Sequence, residues 1–183
     1  MRDVDIREHL HTFLAHYFQG DSTVIDELGI CQGQVRVDVA VVNESLHGFE
    51  IKAAADTLTR LDRQIAYYSR VLDYAYLVAT PNHLAVARDK TPLWWGIYEA
   101  RIRGGQLELL RRWEAHPNPH LDVRALAELL WHHDVLGMLQ QRGACRGVRG
   151  KPRRFAWDRL CEVYEVNEIR NAVRARLKER ASA

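Results

Sequence analysis

The chain has 183 residues, 47% of them apolar and 27% charged, with a formal net charge of +2. That is the make-up of an ordinary soluble domain with a well-buried core, and no apolar run approaches the ~18 residues that a membrane span needs. Three cysteines, Cys31, Cys145 and Cys161, share no metal-type spacing and cannot all pair with one another. The expectation is reduced thiols in a cytoplasmic protein with no membrane partner, and Met-Arg-Asp-Val-Asp at the start lacks the apolar stretch of a secretory signal.

The charge is unevenly spread. Residues 1–134 carry 14 Lys+Arg against 19 Asp+Glu, whereas residues 135–183 carry 12 against 5. A basic end beside an acidic body suits a polyanionic partner, and a solubilising basic helix gives the same balance.

In chain order, Ile6, Leu10, Phe13, Leu14 and Tyr17 mark one face of a first helix, with Asp5 as its cap. Thr23–Leu28 reads as a short strand. Val35 to Val42 alternates about Arg36, Asp38 and Ala40, a buried strand, and Phe49–Ala53 begins a third. Asp56 caps a helix reaching about Leu72, striped by Leu58, Leu61, Ile65, Tyr68 and Leu72. Tyr76–Ala79 is a buried strand, and a short helical stretch follows Asn82 until Thr91-Pro92. Trp94–Ile102 and Gln106–Arg112 form a hairpin across Gly104-Gly105, with Trp94 and Trp95 packing in it. Pro117 and Pro119 mark a linker. Beyond it come helices capped by Asp122 and Asp134, a Gly/Arg loop over 143–151, a helix from Pro152 and a last one capped by Asn167.

The expected chemistry lies on the second and third strands. Glu50 and Lys52, two apart on a strand, project from one face while Ile51 points the other way. Asp38 on the neighbouring strand, ~4.8 Å away, reaches the same place. Such spacing arises readily in a chain with 24 acids. What sets these residues apart is that they interrupt apolar strands, where unpaired ionised groups are costly. A divalent cation that takes one or two carboxylates and keeps several waters would make them compatible.

Arg36-Val-Asp38, Gly48-Phe-Glu50-Ile-Lys52 and Gln64-Ile-Ala-Tyr-Tyr68 together resemble the PD-(D/E)XK nuclease superfamily, over roughly residues 20–115. The resemblance is to its small stand-alone bacterial and phage branch. It implies an α/β, restriction-endonuclease-like αβββαβ core with a mixed sheet over residues 1–116, followed by a basic helical appendage over 117–183. It also implies Mg²⁺ or Mn²⁺ held by Asp38, Glu50 and the main-chain carbonyl of Ile51, with Lys52 as the catalytic lysine. Gln64 and Tyr68 match an element that supports the site and touches substrate. The superfamily's further acid usually lies on the first helix; the nearest candidate here is Glu27, on a strand. Val37 stands where that superfamily often has proline.

Secondary candidates have two readings each. Arg36 either clamps a phosphate or pairs with a nearby carboxylate. Arg60, Arg63 and Arg70 either track a DNA backbone or are solvated, and Gln64 is otherwise a helix-edge polar group. His9, His11 and His16 read as surface or core residues. Arg142 to Arg159, mixing Arg and Gly with Phe155 and Trp157, suits nucleic-acid contact or a solvated connector. The expected activity is Mg²⁺-dependent hydrolysis of DNA, and a nuclease of this size often needs a homodimer to cut both strands. The rival expectations are a nucleic-acid-binding module that does not cleave, and a protein-interaction or accessory subunit.

Overall fold

The computed structural model describes all 183 residues, as six strands and seven α-helices. The first helix, α1 (Asp3–Tyr17), precedes three strands, β1 (Thr23–Ile30), β2 (Val35–Val42) and β3 (Leu46–Lys52). Helix α2 (Leu61–Val71) leads to β4 (Tyr74–Ala79), and a 3₁₀ turn plus α3 (Leu84–Lys90) lead to the hairpin β5 (Gly96–Arg103) and β6 (Gln106–Trp113). Four helices close the chain: α4 (Val123–Ala127), α5 (His132–Gln141), α6 (Arg153–Val163) and α7 (Val166–Ala181).

The strands form one mixed sheet in chain order, β1 to β6. β3–β4 and β4–β5 are parallel, and the other pairs are antiparallel. Parallel neighbours need a crossover, and α2 and α3 supply the two that occur. The sheet is covered on both faces, so β3 and β4 are almost wholly buried. On one face Ile6, Leu10 and Leu14 of α1 pack with Val39, Val41, Phe49, Ile51, Val78 and Tyr98. On the other, α2 and the C-terminal helices share a continuous core of 33 buried residues with the sheet.

Helix starts differ from expectation in a consistent way. Asp5, read as a cap, lies inside α1 and accepts the backbone N–H of Arg2; Asp134 does the same for Trp131. In α7 the equivalent residue is Glu168, serving the N–H of Glu165, so Asn167 is helical rather than a cap. Each is an acid three residues into the helix reaching back, which from sequence looks like a cap one turn late. Asp122 is a true cap, accepting from the N–H groups of Arg124 and Ala125. Asp56 caps nothing: it accepts the N–H of Ala53 at 2.7 Å, and α2 begins only at Leu61. Trp94 and Trp95 precede β5 instead of lying in the hairpin, and both are buried.

Candidate functional site

β2 and β3 pair only from Val39–Phe49 to Val42–Leu46. Beyond that point the strands part, and the N–H of Ile51 loses its ladder partner on β2. The Asp38 carboxylate takes it instead, with Oδ2 accepting at 2.7 Å. One side chain thus closes the sheet and is fixed at the mouth of the gap.

Glu50 and Lys52 lie on the same face of β3, both almost fully buried, with Nζ donating to Oε1 at 2.7 Å. The same Oε1 accepts from the Gln64 amide, and Oε2 accepts from the Tyr68 hydroxyl at 2.5 Å. Gln64 and Tyr68 are four apart on α2, so the crossover helix delivers both to the strand it follows. The Tyr68 hydroxyl also lies 3.0 Å from the carbonyl oxygen of Arg36, and its ring stacks on Trp95 at 5.6 Å. Gln64 Oε1 is buried without a partner.

The electrostatics follow from this enclosure. Burial, and then the neighbouring Glu50 charge, push the Asp38 carboxyl up to about 7. Burial also raises the Tyr68 phenol well above its ordinary range, with Glu50 adding to the effect, so Tyr68 stays protonated and donates.

Around this floor lies an open cleft of about 470 Å³, lined mostly by polar side chains. Its walls carry Arg36, Arg60 and Arg63 along with the Gly33–Gln34 turn, so the sequence candidates converge on one cleft apart from Tyr68, which lies behind Glu50, and Arg70. Arg36 is paired with Glu27 at 3.3 Å, and Arg63 donates to the carbonyl of Gln34. Arg70 is turned away, bonded to Asp122.

Glu27 reaches the wall from β1, where the pairs Asp26–Val39 and Leu28–Val37 put it opposite Asp38. Its φ of 54° is left-handed, rare for a non-glycine residue inside a strand, and costs on the order of 1 kcal/mol. Two residues of the site are not among the sequence candidates, Asp3 and Arg7, one turn apart on α1; the signal for Asp3 is the further acid expected on the first helix, where Asp3 lies and Glu27 does not. Asp3 lines the cleft. Arg7 donates to the Asp38 carbonyl at 2.6 Å and to Glu27 at 3.1 Å, and pairs with Asp3 at 3.3 Å. Their i, i+4 spacing is visible, but nothing local says that this end of α1 meets β2. His11 pairs with Asp26, and His16 bonds the carbonyl of Thr12.

No three His, Cys, Asp or Glu side chains gather at metal-binding distance. Of the cleft's oxygen donors, the Asp38 and Glu50 carboxylates and the main-chain carbonyl of Ile51 lie at its floor and could receive a hard cation; Glu27 is held in the wall by Arg7 and Arg36. A buried acid beside a half-buried one whose proton affinity is driven up is an arrangement a divalent ion relieves, and Mg²⁺ needs no more than one or two carboxylates. The three cysteines are free, and no helix is long and apolar enough to cross a membrane.

The chain matches the family described as bacteriophage P4 protein cII over residues 3–183. It belongs to that family. Protein cII of Enterobacteria phage P4 is 23% identical over 163 residues, which cover 89% of this chain. The chain spans only 61% of that relative's length. Among solved structures, the SPO1766 protein of unknown function from Silicibacter pomeroyi is similar at 15% identity, with a TM-score of 0.49 over 83% of this chain and 96% of that one.

Proposed function

We propose that this member of the P4 cII family is a metal-dependent nuclease hydrolysing DNA phosphodiester bonds, on a core of the restriction-endonuclease type. The observation that carries the reading is the convergence of Asp38, Glu50 and Lys52 where β2 and β3 part, at the floor of an arginine-walled cleft. Asp38 and Glu50, with the main-chain carbonyl of Ile51, would hold Mg²⁺ or Mn²⁺. Such an ion neutralises phosphoryl charge and supplies a nucleophile from water near neutral pH.

The chain's own groups divide the remaining work. Lys52, on the same strand face, provides a fixed cation and a proton-bearing Nζ beside the scissile phosphate. Gln64 and Tyr68 hold the Glu50 carboxylate in one orientation, a constraint that two donors from one helix impose better than one. Arg60 and Arg63 present positive charge to the flanking backbone, where contacts position without reading sequence.

One observation favours the rival reading of a binding module that does not cleave. Glu50 is already satisfied by three donors, one of them the Lys52 ammonium, without any metal ion. The two readings separate on one experiment. Purified chain is incubated with labelled single-stranded, duplex and branched DNA, with Mn²⁺, Mg²⁺ or chelator. Cleavage that needs the ion and drops at least 100-fold in Lys52→Ala and Asp38→Asn supports the nuclease, each loss matching removal of a general acid–base or charge-stabilising group. Binding without cleavage on every substrate hands the case to the module.

A further inference from the structure

We propose that a strip outside the cleft binds an unpaired nucleic-acid strand, with Trp131 as its stacking platform and the 146–154 segment as its phosphate track. It deepens the nuclease reading by naming the substrate class, a DNA with a single-stranded arm.

The strip begins at the turn between β1 and β2. Gly33 and Gln34 of that turn line the cleft, while Gln32 lines the adjoining groove of about 570 Å³ together with Trp131, His133 and Arg153. A strand leaving the cleft across this turn meets Trp131 next. That side chain is 56% exposed, although the molecule buries Trp94, Trp95 and Trp157. Arg180 lies 4.0 Å from its ring centroid, on one face, and His133 meets it edge-on. A tryptophan backed by a guanidinium and otherwise open to solvent is a platform for a flat ring, and any base with a free face fits it.

Beyond Arg153 the charge is uncompensated. Residues 142–154 hold six Lys or Arg and no acid. Arg142 is consumed by Glu168 and the carbonyl of Val163. Arg146, Arg149, Lys151, Arg153 and Arg154 are exposed, and none has an acidic partner. Elsewhere in the same helical layer the pattern is opposite: Arg124, Arg159, Arg170, Arg176 and Arg180 are each paired with a carboxylate. Lys151 and Arg154 also flank the ring of Phe155, which is 37% exposed. Cations that find no partner in a layer where arginines generally do are poised for phosphates from outside. The open face of Trp131 beside this charge favours a single strand, because in a duplex the faces of the bases are already stacked on each other. An anionic membrane shares the charge chemistry but not the continuity with the cleft.

The test uses the full Lys52→Ala chain in chelator, so that cleavage does not enter. Fluorescence anisotropy measures a labelled 30-nucleotide strand, the same sequence as duplex, and phosphatidylserine vesicles. The expected result is single strand bound at least 10-fold tighter than duplex. Trp131→Ala loses on the order of 10-fold for the single strand, and Trp131→Phe recovers most of it. Arg149→Glu with Lys151→Glu reduces the slope of log K against log salt by roughly 1.4. Duplex bound as tightly as single strand, no loss in Trp131→Ala, or vesicles bound in place of oligonucleotide overturns the proposal. Binding without cleavage by the wild-type chain sinks the nuclease reading alone, and cleavage without this binding sinks the strip alone.

Discussion

Asp38 is the residue on which pH acts most directly. Its carboxyl is pushed up to about 7 by burial and by Glu50, against an ordinary value near 3.8 in the unfolded chain. The folded state therefore holds a proton between those two values that the unfolded state has released. The Asp38 contribution to stability falls as pH rises from about 4 to about 7 and then levels, by up to about 4 kcal/mol for such a shift. Buried His47, pulled down to about 4, gives the opposite slope between about 4 and 6.5, so the Asp38 share is read against Asp38→Asn: the stability of ion-free wild type relative to that variant is expected to be higher at pH 5 than at pH 8. A wild-type advantage over Asp38→Asn that grows towards pH 8 in chelator would contradict the assignment. Ion binding requires the ionised carboxylate, so Mn²⁺ should raise the melting temperature at pH 8 and leave it almost unchanged at pH 5. Glu27 offers a second measurement at this scale. Its left-handed backbone suits glycine, so Glu27→Gly should hold or raise stability, by up to about 1 kcal/mol, while removing the charge facing Arg7 and Arg36. Chemical denaturation decides it: a loss above 1 kcal/mol means that the ion pairs outweigh the strain.

At the scale of elements, the sequence showed most clearly where local chemistry decides alone. The strand over Val35–Val42, the Gly104-Gly105 hairpin and the Asp122 cap are each set by neighbours in the chain, and the structure has all three; the strict alternation does not hold, because Val35 and Val37 face one core cluster and Val39 and Val41 the other, so the strand changes face at Asp38. The shared face of Glu50 and Lys52 was legible too, because strand periodicity puts residues two apart on one side; Asp38 joins them through its bond to the Ile51 N–H, where β2 leaves the ladder. Arg7 was not legible, since its role exists only after α1 has docked across the sheet. The late caps failed for a related reason: an acid at the cap and an acid three residues in give the same local composition. Asp134 shows what the second arrangement can add. Its side chain is 6% exposed and meets the N–H of Trp131, Arg180 at 2.6 Å and Arg176 at 3.1 Å, tying α7 to the start of α5. Removing the carboxylate takes an acceptor from both arginines, but Arg176 keeps Glu179 and Arg180 keeps the carbonyl of Leu129, so the cost is about 1–3 kcal/mol. Asp134→Ala should lose that much in urea denaturation, with Asp134→Asn losing less because it keeps an acceptor for the Trp131 N–H. Equal losses would show that charge, not the cap, is what matters.

For the whole molecule the question is whether the helices after residue 117 are a separable unit. Pro117 and Pro119 give this stretch the composition of a linker, yet its backbone is stapled to α2. Asn118 donates its N–H to the carbonyl of Asp73 and its amide to the carbonyls of Ser69 and Leu72, and the N–H of Asp122 bonds the carbonyl of Arg70. The core carries the coupling further. Leu28, Ile30 and Val37 from the sheet belong to one buried cluster with Leu126, Leu130, Leu160 and Leu177 from the helices. Removing the helices would expose those strand residues, each worth about 1.5–3 kcal/mol when buried, which is large against the 5–15 kcal/mol stability of a typical domain. Calorimetry of the intact chain is thus expected to give one transition, with equal calorimetric and van't Hoff enthalpies, and a chain ended at residue 116 should lack a cooperative transition. Two resolved transitions, or a folded 1–116 fragment, would mean that the helices ride on an independent sheet. In the coupled case, nucleic acid bound along the helices would stabilise the cleft as well, because anything that binds only the folded state raises the stability of every part that unfolds with it.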